Sequence, residues 1–110
     1  MLNEEFHFKD IEAQWEEKLK EIFNKEKGGV IKKHLGRLAD KDVFFHITVE
    51  KNPHKNEYIT GIAMYLPSKS LYARRQGKAA DMAMHSAINS LVRQIDKYKV
   101  RFVPKKGARR

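Results

Sequence analysis

From Met84 onward the apolar residues return in steps of four and three: Met84, Ile88, Leu91, Ile95, Tyr98 and Phe102. That spacing puts all six on one stripe of a helix. It predicts a long amphipathic helix over 77–102, which must cover an apolar surface supplied by the rest of the chain. Another face carries Ser86, Ser90, Arg93, Lys97 and Arg101, so the polar side turns basic toward its end.

The preceding residues read as that surface. Glu5-Phe6-His7-Phe8-Lys9 alternates as a short strand does. Asp10 is a fitting N-cap, and Glu12, Glu16 and Glu17 suit the first turns of a helix. Ile11, Trp15, Leu19, Ile22 and Phe23 keep a helical period, which Lys27-Gly28-Gly29 should weaken or break. Val30, Ile31, His34, Leu35 and Leu38 resume it to about Ala39, leaving open one bent helix or two. Strands are expected over 43–51, 57–66 and 70–76, separated by turns at 52–56 and 67–69. Tyr65 and Tyr72 could then pair across the last hairpin.

The order is β-α-β-β-β-α, an α+β fold. Short connections favour antiparallel pairing of the successive strands. Both helices should lie on one face of a four-stranded sheet, a layout similar to double-stranded-RNA-binding domains. A chain of 110 residues suits one domain, expected over 1–102. Residues 103–110 should form a flexible basic tail.

Cysteine is absent, which removes disulfides and thiolate metal ligands and weakly favours a cytoplasmic protein. No apolar run reaches the roughly 18 residues of a membrane span, and Met1 to Glu5 does not read as a signal peptide. Net charge is +9 and unevenly spread. Residues 1–50 carry nine Lys/Arg against eleven Asp/Glu, and residues 51–110 carry fourteen against three. A one-sided basic field favours a polyanion.

Local motifs for chemistry are missing. His7, His34, His46, His54 and His85 fit no recognised ligand spacing, so no metal or cofactor is expected. The glutamates of the first helix lie beside lysines as surface ion pairs would. Ser68 and Ser70 lack a nucleophile context, and no glycine run is long enough to cradle phosphate. An enzyme is therefore not expected, nor a small-molecule substrate. Aromatic residues do not form the run that an RNA-recognition motif needs. The basic residues instead suggest a helical platform for RNA backbone: Lys32, Lys33 and Arg37 with Lys78, Arg93, Lys97 and Arg101. Arg74 and Arg75, adjacent on a strand, must face opposite ways, so at most one can share the helices' side.

Tyr58-Ile-Thr-Gly-Ile-Ala-Met-Tyr-Leu-Pro-Ser-Lys-Ser-Leu-Tyr-Ala-Arg-Arg-Gln-Gly77, followed by Leu91-Val-Arg-Gln-Ile-Asp-Lys-Tyr-Lys99, resembles the ribosome hibernation promoting factors. That family includes ribosome-associated inhibitor A and is also called the sigma modulation family. Leu66-Pro67, Leu71, Ala73, Gly77, Leu91, Arg93, Gln94, Lys97 and Lys99 match its pattern in one ungapped register. Ala79 to His85 depart from the family's usual helix start, and no second domain follows, as in short family members.

The resemblance implies the same fold and a cytoplasmic, ribosome-binding translation inhibitor. Its partners would be the small ribosomal subunit and ribosomal RNA, with no membrane, and it would be a monomer off the ribosome. The implied contacts are Lys32, Lys33, Arg37, Arg74, Lys78, Arg93, Lys97, Lys99 and Arg101. A general double-stranded-RNA binder, a small oligomeric scaffold and an enzyme are the alternatives from other classes.

Overall fold

A computed structural model of the chain describes residues 2–67 and 69–102, and for 100–102 the backbone alone. The expected tail over 103–110 and Ser68 lie outside the described residues. Strand β1 (Leu2–Lys9) leads into helix α1 (Ala13–Glu26), a π-helical turn (Lys27–Ile31), a single α-helical turn α2 (Lys32–Leu35) and a 3-10 turn (Gly36–Asp40). Strands β2 (Val43–Asn52), β3 (Glu57–Leu66) and β4 (Lys69–Gly77) follow, then helix α3 (Ala80–Phe102).

The sheet order is β1-β2-β3-β4. β1 runs parallel to β2, and the two hairpins β2–β3 and β3–β4 are antiparallel. Alternation then sorts the side chains. Phe6, Ile47, Ile62 and Ala73 form one row across all four strands, pointing into the core. Both helices cover that face. Phe23 of α1 meets the rings of Phe6 and Phe45 edge-on, with centroids 5.7 and 5.3 Å away. α3 contributes Met84, Ile88, Leu91, Ile95 and Tyr98, as its periodicity predicts, and also Ala80, Ala83 and Ala87, whose small side chains complete the buried stripe.

Several local expectations change. Asp10 is not the N-cap: it takes a left-handed φ of 59°, which aspartate tolerates, and turns the chain out of β1. The helix starts instead after Glu12, whose carbonyl accepts from the Trp15 and Glu16 amides at 2.9 and 3.2 Å. Gly28-Gly29 does not break the helix. The helical run continues from Ala13 to Leu35 with one residue looped into the π turn. A regular helix burying Leu19 and Phe23 would next bury 26 or 27, 30 and 34 at about 3.6 residues per turn. The extra residue moves that stripe to Ile31 and Leu35, which are fully buried. Lys27, in the same turn, pairs with Glu4 of β1 and so ties the bulge to the edge of the sheet. Gly36, at φ 59°, ends the run.

Ser90 is buried rather than presented on the polar side of α3, and α3 itself begins at Ala80 rather than Gly77. The tyrosines of the last hairpin do not face each other: Tyr65 lies opposite Ser70 and stacks near Phe44 at 6.3 Å, while Tyr72 lies opposite Ala63. A Cβ at Gly61 would come within 2.6 Å of the Tyr72 hydroxyl, so the glycine is what lets that ring cross β3.

Candidate nucleic-acid interface

β1, β2 and β4 run in one direction, and each helix returns against the strand before it. α2 and α3 therefore end at the same edge of the molecule. Two contacts fix them there. His34 Nδ1 lies 2.8 Å from Asp96 Oδ1, and Lys99 Nζ donates to the His34 carbonyl at 2.7 Å. The carbonyls near a helix end carry partial negative charge, so cations are stabilised nearby, each by roughly 0.3–1 kcal/mol where exposed.

Lys32, Lys33 and Arg37, in and just after α2, and Arg93 and Lys97, on the last turns of α3, are all exposed. The one carboxylate on the last turns of α3, that of Asp96, is already engaged by His34. The acids of α1, by contrast, sit toward the opposite end of the first helical run. Lys97 also lines a shallow groove between β4 and α3 with Lys69, Leu71, Gln94 and Tyr98. Gln94 Nε2 donates to the Tyr72 carbonyl at 2.6 Å, which pins α3 to β4 and holds the groove's shape.

The remaining residues separate. Lys99 is half-buried and serves the helix junction. Lys78 precedes α3, and Ala80 to Arg93 alone spans about 20 Å at 1.5 Å per residue, so it sits far from Arg93 and Lys97. Arg74 lies across from Gly61 on the open face of the sheet, away from the helices. Arg75 shares the parity of buried Ala73 and is the member of that pair on the helices' side. Arg101 lies in the last turn of α3, and its side chain is outside the described residues. Lys69 joins the groove although the sequence marks it only as a turn residue; its place next to Lys97 is a tertiary fact with no local signal.

The surface is suited to binding phosphate oxygens by point charges rather than to reading base edges. No described helix is long and apolar enough to cross a membrane.

No family model matches the chain, and no curated protein sequence does. Solved structures do match. The N-terminal domain of Thermus thermophilus Protein Y superposes with a TM-score of 0.61 at 12% identity, covering 87% of this chain and 98% of that one. A ribosomal subunit interface protein from Coxiella burnetii superposes with a TM-score of 0.57 at 20% identity, covering 90% of this chain and 98% of that one. At such identities the likeness establishes that this chain shares their fold.

Proposed function

We propose that this chain is a member of the hibernation promoting factor family. In this reading it silences idle ribosomes by lodging in the decoding region of the small subunit. The observation that carries it is the contact between two helix ends at His34 and Asp96, with Lys32, Lys33 and Arg37 exposed on one segment and Arg93 and Lys97 on the other. It is supported by the fold shared with a protein described as a ribosomal subunit interface protein. The motif residues Leu91, Arg93, Gln94, Lys97 and Lys99 support it further.

The mechanism is occupancy. The five exposed cations neutralise ribosomal RNA phosphates, and Lys99 keeps the two helix ends in register behind them. The body of the domain then fills space that messenger and transfer RNA need. No bond is made or broken, so neither a cofactor nor a catalytic residue is required. Lys69, Lys78 and Arg101 extend the contact along α3, and Arg74 contributes only where RNA reaches round the β4 edge. The site of action is the cytoplasm.

The test is an affinity measurement on purified small subunits, with unlabelled duplex RNA as competitor. Five phosphate contacts predict that raising salt from about 50 to about 200 mM weakens binding on the order of hundredfold. Subunits should compete far better than duplex RNA. Equal competition by duplex RNA would favour a general double-stranded-RNA binder instead.

A further inference from the structure

The face of the sheet opposite the helices carries a second cluster, unrelated to the basic end. β1 and β2 are parallel, and their register sets Glu5 directly across from His46, with His7 across from Thr48. All three side chains leave the same face. His7 Nε2 lies 2.8 Å from Glu5 Oε2, and the His7 and His46 rings are 4.7 Å apart between centroids. One ligand atom from each residue falls within 4.8 Å of the others.

We propose that Glu5, His7 and His46 form a binding site for a divalent transition metal of the zinc class. Two imidazole nitrogens and one carboxylate oxygen suit zinc, nickel, cobalt or copper; magnesium and calcium prefer all-oxygen ligands. Ligand atoms around a tetrahedral zinc lie about 3.4 Å apart, given bonds of about 2.1 Å. The three groups can close onto an ion by side-chain rotation alone, because their backbones are already held by the β1–β2 ladder. Three protein ligands leave the fourth position for water or an outside donor. The ion would also clip the edge strand β1 to β2. Ligand-spacing rules overlook the site because they read neighbouring residues, and here one ligand comes from β2 across the sheet.

This site does not rest on the ribosome reading, since it lies on the other side of the sheet from the helices. The test is a calorimetric titration of the full chain with zinc chloride, alongside thermal unfolding with and without zinc. The expected result is one ion per chain and a higher unfolding midpoint in zinc. His7→Ala and His46→Ala should each weaken binding by on the order of tenfold or more and remove the thermal shift. His54→Ala, in the β2–β3 turn, should change neither. Glu5→Gln, an exposed substitution, keeps the test open if a histidine variant folds poorly. No zinc uptake by the wild type, or uptake unchanged in His46→Ala and Glu5→Gln, overturns the proposal.

Discussion

Two lysines two residues apart on α3 separate into different jobs. Lys97 is exposed at the edge of the β4–α3 groove, while Lys99 is half-buried and donates to the His34 carbonyl. Losing a charge-assisted hydrogen bond of that kind costs about 1.5–3 kcal/mol, less where water can replace it. Lys99→Ala is therefore expected to lower stability by about 1 kcal/mol in urea unfolding, whereas Lys97→Ala should stay within about 0.5 kcal/mol. In subunit binding Lys97→Ala should show the loss without any stability change. Equal destabilisation by both would remove the distinction. Nothing in the Leu91 to Lys99 motif announces this division, because it depends on where α2 docks. Arg74 and Arg75 show the opposite case. Strand alternation says that they face opposite ways, and only the parity with buried Ala73 decides which one joins the helices.

At the scale of elements, pattern and punctuation carry far. β3 spans Glu57–Leu66 as its flanking turns at Asn52-Pro53 and Pro67 require, and the apolar stripe of α3 is buried where its period places it. The first helical run is where local reading leaves one bent helix or two open. Two glycines lower helix propensity, yet packing of Ile31 and Leu35 on the core outweighs that cost and keeps the chain helical through a π turn. The same glycines are exposed, and a Cβ at either would meet nothing within 4 Å. Gly28→Ala should therefore raise stability by about 0.5–1 kcal/mol, through better helix propensity and a less free unfolded chain. A loss of stability in the same unfolding assay would mean that the π turn needs glycine's backbone freedom there.

For the whole molecule, the organising fact is that two basic segments far apart in sequence end at one edge. The charge imbalance between the halves of the chain is legible from composition, and so is the presence of a basic helix end. The partnership is not. It follows from strand directions, which bring both helix C-termini together, and from the His34–Asp96 contact, which ties the two ends to each other. Sequence also fails to bring Glu5, His7 and His46 together, since only the parallel register of β1 on β2 does so. On the proposed function, the shared basic edge holds the protein on the small ribosomal subunit. The most direct test is sedimentation of a cell extract through a sucrose gradient, comparing wild type with the Arg93→Glu/Lys97→Glu double variant. Both positions are exposed, so the variant should keep the wild-type unfolding midpoint. Wild type should travel with small subunits or whole ribosomes while the variant stays at the top of the gradient. A folded variant that sediments with ribosomes as wild type does, or a wild type that never enters the gradient, would contradict the proposed function.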